Sequence, residues 1–174
     1  MNEKQFSITE ALRFARHDFM NQLQLIRMNL ELGRVEDAKS VIDAYASRML
    51  ELAELNKLGL PKLYEWIQTA PWKYPGLNFE FSCKGEQVDE RIDSPATKIL
   101  DRLLGELKNR LNPYDELACH VAITAVSGVF TMGITVIGRL ENLDLALISE
   151  ERSVLQIRAE QLSSEEWKFT VTAI

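Results

Sequence analysis

Between residues 8 and 58, apolar side chains return at every third or fourth position, and a glycine divides the pattern in two. Ile8, Leu12, Ala15, Phe19, Leu23, Ile26 and Leu30 share one face of a helix turning about 100° per residue. Beyond Gly33, the residues Val35, Ala38, Val41, Ile42, Tyr45, Met49, Leu52 and Leu55 repeat the pattern. Ser7 followed three residues later by Glu10 is a capping-box signature. The first helix is therefore predicted over about Ile8–Leu32, with Gly33 as its stop. The second runs from about Val35 to Leu58 and ends at Gly59 and Leu60-Pro61. So short a connection pairs the two helices antiparallel. The first helix also carries a weaker stripe, Phe14, Leu25, Met28 and Leu32. One hairpin cannot cover two stripes, but two hairpins related by a two-fold axis can. The expectation is a homodimer built on a four-helix bundle. Its competitor is a C-terminal domain that covers the second stripe.

The pattern changes after the hairpin. Pro61 to Ala70 reads as a short helix with Pro61 in its first position. The stretch APWKYPGLN, with Pro71, Pro75 and Gly76, is the expected domain boundary. This gives a helical domain over 1–70 and a second domain over 71–174. In the latter, Leu77, Phe79 and Phe81 alternate as in a strand. Ser94-Pro95 opens a helix that extends to about Leu111. Leu117–Val126 and Val129–Leu140 form a strand pair joined by Ser127-Gly128. A short helix is expected over Asn142 to about Arg152, then a hairpin of Val154–Leu162 and Trp167–Ile174. The sum is an α+β sandwich with helices on one face of a mostly antiparallel sheet.

Composition excludes several functions. The 174 residues are 46% hydrophobic, which is too many for a disordered chain. A formal net charge of −6 argues against nucleic acid and anionic membranes as main partners. Residues 11–34 run the other way, with four arginines (Arg13, Arg16, Arg27 and Arg34) against Asp18 and Glu31. An acidic partner surface would be steered to that helix. Cys83 and Cys119 make no disulfide framework and read as buried free thiols. No Cys or His pair has metal-ligand spacing. The stretch MNEKQFSITE lacks the apolar core of a signal peptide, and no run approaches 18 apolar residues. A cytoplasmic protein that takes its signal from another soluble protein is expected.

Within the first helix, His17 lies more than about 150° from the centre of the main stripe. Arg13 and Asn21 sit one turn away on either side and Gln24 two turns on, so a polar ridge surrounds an outward imidazole. A neutral imidazole nitrogen can attack a phosphoryl group and later release it, which suits a relay. Arg13 or Arg16 would neutralise phosphoryl oxygens. Asn21 would hydrogen-bond to the phosphoryl group or to the partner. Asp18, about 100° around the helix, would orient the ring, accept a proton or pair with Arg16. The chain contains no Asp-x-Gly-x-Gly string, no P-loop and no Ser/His/Asp nucleophile elbow. His120, in the strand-like ACHVAIT, reads as structural.

The string RHDFMNQLQLIRMNL, residues 16–30, resembles the phosphorylation-site helix of the sporulation initiation phosphotransferase B proteins of endospore-forming bacteria. It is similar, more weakly, to the His-box of citrate/malate-type sensor kinases. The first resemblance implies a phosphotransferase, not an ATP-dependent kinase. The residue equivalent to His17 would take a phosphoryl group from the aspartate of one response regulator. It would pass the group to the aspartate of a second regulator, a transcription factor, and so control sporulation initiation. The resemblance also implies a dimeric bundle and a C-terminal domain like a histidine-kinase ATP-binding fold without its nucleotide. No cofactor would be held by this chain, and Mg2+ would sit in the regulator's acidic pocket. Arg13, Arg16, Asp18, Asn21 and Gln24 would meet the phosphoryl group or the regulator. The alternative is a non-catalytic dimeric scaffold that binds or sequesters a regulator or kinase.

Overall fold

The computed structural model describes residues 7–110, 117–138 and 154–173. The chain divides into two compact units, residues 1–50 and 51–174.

The first unit holds α1 (Ile8–Glu31) and the first turns of α2 (Val35–Lys57). The capping box forms as expected. The Ser7 hydroxyl accepts from the Glu10 N–H at 3.2 Å, and the Glu10 carboxylate accepts from the Ser7 N–H at 2.9 Å. Gly33 follows the helix with φ +71°, a left-handed turn that a glycine enters without steric cost. The antiparallel pairing brings the Phe19 and Tyr45 rings to 6.2 Å between centroids. Ala38 is buried, yet α1 contains no buried residue at all.

The second unit is a two-layer α+β domain. Its helices are α3 (Pro61–Lys73) and α4 (Asp93–Arg110), and Glu90–Ile92 forms a single 3-10 turn before α4. Its strands are β1 (Leu77–Gly85), β2 (Leu117–Val126), β3 (Val129–Ile137), β4 (Leu155–Ser163) and β5 (Glu166–Ala173). The sheet order is β1-β2-β3-β5-β4, with β1 and β2 parallel and every other pair antiparallel. Alternation sets the faces. Cys119, Val121 and Ile123 on β2, Met132 and Ile134 on β3, and Phe169 and Val171 on β5 are buried in one core with Leu63, Ile67, Leu100, Leu103 and Leu104 of the helices. Alternate positions such as His120, Thr124, Arg158 and Lys168 face away and are exposed. The β2–β3 hairpin turns at Ser127 (φ 53°) and Gly128 (φ 77°), as the Ser-Gly pair predicts.

The structure differs from the sequence expectation at the junction. Residues 51–70, assigned from the sequence to the helical domain, fall in the second unit. There Leu52, Leu55, Leu58, Leu63 and Ile67 are buried in the α+β core. Pro71, taken as part of the boundary, lies inside α3 only two residues from its end. It removes one N–H donor from the last turn, and the helix stops two residues later. The helix expected over Asn142 to about Arg152 lies outside the described residues, as does the expected helix end at Leu111.

Two local devices hold this second unit. The buried Asp93 carboxylate accepts from the backbone N–H of Lys62 at 2.9 Å and of Leu63 at 2.8 Å, capping α3 from the start of α4. Glu51 accepts from the Cys83 N–H at 2.5 Å, which ties the end of α2 to the edge strand β1. Burial, with the Glu51 and Glu54 charges adding to it, pushes the Cys83 thiol up to about 12. Burial alone pushes Cys119 to about 12. Both therefore remain neutral, poorly nucleophilic thiols near neutral pH. Replacing Asp93 by Ala should cost about 1–3 kcal/mol, because two N–H donors at a helix start lose their acceptor. Urea denaturation would measure this, and a loss below about 0.5 kcal/mol would mean that the cap contributes nothing.

Candidate functional site

The capped, uninterrupted course of α1 sets the direction of His17. Its side chain is 70% exposed. The imidazole Nδ1 lies 3.2 Å from the Asn21 carboxamide nitrogen and 3.5 Å from Asp18 Oδ1. Asn21 reaches the ring because side chains four apart share a helix face and lean toward the N-terminus. Asp18 is the next residue and meets the ring from the side.

The remaining candidates arrange themselves about this centre. Helical periodicity places Arg13 about 40° and Gln24 about 20° from the His17 direction, and both are exposed. The Arg13 guanidinium sits 5.4 Å from the centroid of the Phe14 ring, a cation–π contact that steadies it on the His17 side. Arg16 and Asp18 flank the histidine about 100° to either side. The structure thus brings Asn21 and Asp18 onto the ring itself. Arg13, Arg16 and Gln24 stand around it as an exposed polar border. Arg27 pairs with Glu31 at 2.8 Å further along α1.

The apolar surface of α1 is the other part of the site. On the main stripe Phe19 is 47% and Leu23 42% exposed, and Ile8, Leu12 and Leu30 are exposed as well. The α2 segment of this unit does not cover them. The second stripe, Phe14, Leu25, Met28 and Leu32, projects within about 80° of His17, with Leu25, Met28 and Leu32 exposed. The sequence argument used that stripe to call for a second hairpin. A hairpin laid over it would crowd the histidine, so the half-covered main stripe is the better place for one. Met20 belongs to neither stripe and was missed. It projects about 60° from His17 and is exposed, and a helical projection centred on the histidine would have found it.

His120 is exposed on the outer face of β2, with Nε2 3.3 Å from the Ser82 hydroxyl. Among the described residues no group of three or more His, Cys, Asp or Glu side chains could hold a metal ion. No described helix is long and apolar enough to cross a membrane.

Comparison with known proteins agrees with this geometry. Residues 1–58 match the family model of the sensor kinase SpoOB-type alpha-helical domain. Over 93 residues the chain is 30% identical to the sporulation initiation phosphotransferase B of Bacillus subtilis (strain 168), an alignment covering 53% of this chain and 48% of the relative. The chain thus spans about half the length of the curated relative it matches. Both findings support the kinship carried by the His17 string. Among solved structures, the Acinetobacter baumannii histidine kinase AdeS aligns at 13% identity and TM-score 0.47, over 90% of this chain and 96% of that one. A bacterial phosphotransferase aligns at 16% identity and TM-score 0.42, over 96% and 98%. Both superpositions are loose.

Placing a charge in the main stripe separates its role from that of the histidine. Phe19→Asp or Leu23→Asp should abolish self-association, because either buries an unpaired carboxylate in an apolar seam. His17→Ala should leave self-association intact, because the residue faces outward. Sedimentation velocity of the three variants checks this. An unchanged assembly in both aspartate variants, or its loss in His17→Ala, would overturn the assignment of faces.

Proposed function

We propose that this protein is a cytoplasmic phosphorelay phosphotransferase. It accepts a phosphoryl group on His17 from the aspartyl phosphate of one response regulator. It then delivers the group to the aspartate of a second, in the control of sporulation initiation. The observation that carries this reading is the 70% exposed imidazole in the middle of a capped helix, held on one side only and bordered by arginines. Such a nucleophile is open to a macromolecular donor, and the basic border suits an acidic one. The SpoOB-type domain and the B. subtilis relative support the same reading.

The functional unit of this proposal is a homodimer. Two hairpins joined along their half-covered main stripes make a four-helix bundle, and His17 remains on its outer surface. The second stripe and Met20 then lie beside the histidine as the apolar part of the regulator contact. Arg13, Arg16 and Gln24 form its polar part. Transfer proceeds roughly in line, driven by positioning and charge neutralisation, with Mg2+ held by the regulator. This chain needs no nucleotide for that reaction.

The test uses two purified regulators, one pre-phosphorylated on aspartate and the other unlabelled. Wild-type protein should carry label to the second regulator, and His17→Ala should carry none. Binding of both regulators without labelled protein or transfer would instead favour a sequestering scaffold. Direct labelling by ATP alone would overturn the assignment as a nucleotide-independent phosphotransferase.

A further inference from the structure

Arg13 and Phe14 stand one turn before His17, about 40° to one side of it and about 60° to the other. The Arg13 guanidinium lies over the Phe14 ring, 5.4 Å from its centroid. The contact between them therefore spans the row on which His17 stands. Helical side chains lean toward the N-terminus, so the His17 side chain covers that same turn. Phe14 is half-buried, and Arg13 is exposed. Arg27 on the same helix is bound to Glu31, whereas Arg13 has no ion pair or hydrogen bond among the described residues. A guanidinium held by its face keeps its N–H groups, which point outward in its plane, available to a second partner. Arg16 lies about 100° from His17, and among the described residues no aromatic ring holds it.

From this we infer that Phe14 is a positioning residue. It holds Arg13 beside His17, and Arg13 is the cation that meets the transferring phosphoryl group. The inference rests on the reading of His17 as phosphoryl acceptor. An exposed arginine loses rotamer freedom when it is fixed in one geometry, and the ring contact fixes part of it in advance. In the transfer, a His17 ring nitrogen forms the N–P bond while the P–O bond to the regulator aspartate breaks. The departing carboxylate takes that electron pair, and the ring keeps its one N–H proton. A planar fork of N–H donors matches the charged phosphoryl oxygens during this exchange. Arg13 gives up no proton and acts by charge and position alone. Phe14 acts only through Arg13.

The test is a double-mutant cycle on the full-length protein. The rate of label arrival is read at saturating concentration of a regulator pre-phosphorylated on aspartate. Phe14→Leu, which keeps an apolar side chain but no ring, should slow acceptance about twofold to fivefold, the worth of one exposed cation–π contact. Phe14→Tyr, which keeps the ring, should hold the wild-type rate. In an Arg13→Gln background, Phe14→Leu should have no further effect. A wild-type rate in Phe14→Leu would overturn the inference. So would an equal loss in the Arg13→Gln background, since Phe14 would then meet the regulator by itself. Proton NMR without any donor gives a second reading. The Arg13 δ-methylene signals should be shifted upfield by the ring in wild type and Phe14→Tyr, and not in Phe14→Leu. Signals common to all three proteins would mean that Phe14 does not hold Arg13. A wild-type protein that takes up no label would instead overturn the relay reading, and the role of Arg13 with it, whatever the spectra show.

Discussion

The 24-residue helix α1 has no buried side chain, so it gains little from the packing that stabilises most protein helices. Protein helices draw most of their stability from packing an apolar face rather than from propensity. Among the described residues, thirteen of the eighteen exposed large hydrophobics lie between Ile8 and Leu50. Each fully buried Leu, Ile, Phe or Met is worth about 1.5–3 kcal/mol, so half-covered ones leave on the order of 1 kcal/mol each unrealised. This unsatisfied surface dominates the physics of the first unit. The proposed homodimer would cover it with the same stripe of a second hairpin.

The same constraint explains how a reactive histidine can occupy a structural helix. In the proposed homodimer the main stripe would hold α1 in place, leaving the opposite side to His17 and its neighbours. His17 lies about 120–180° from every member of that stripe, so association along it leaves the ring accessible. Packing and chemistry share one helix without competing for the same face. The rows nearest the histidine mix Met20, Leu25 and Met28 with Arg13, Asn21 and Gln24. The proposed relay would hold a partner briefly and then exchange it for another, and flexible Met and Leu side chains within a charged border suit that.

The sequence showed most clearly those features encoded locally. The Ser7–Glu10 box, Gly33 and the Ser127-Gly128 turn each carry their own stereochemical signal, and the element ends that meet them appear within a residue or two of expectation, while the expected end of the second strand at Leu140 lies outside the described residues. The division between units was not legible. Leu52, Leu55 and Leu58 continue the period of α2 without interruption, and nothing in a period tells what covers it. Pro71 misled for a related reason, since a proline weakens a helix without marking the residue at which it ends. At the site, the outward direction of His17 followed from spacing alone. The contacts on its ring did not, because they depend on rotamers of Asp18 and Asn21 rather than on position.

The most direct test of this account is the solution mass of the wild-type protein, measured by light scattering at micromolar concentration without any partner. The account predicts twice the chain mass of 19.9 kDa, with no monomer. A monomer that retains full helix content would contradict it, since α1 would then be stable with its main stripe open to water.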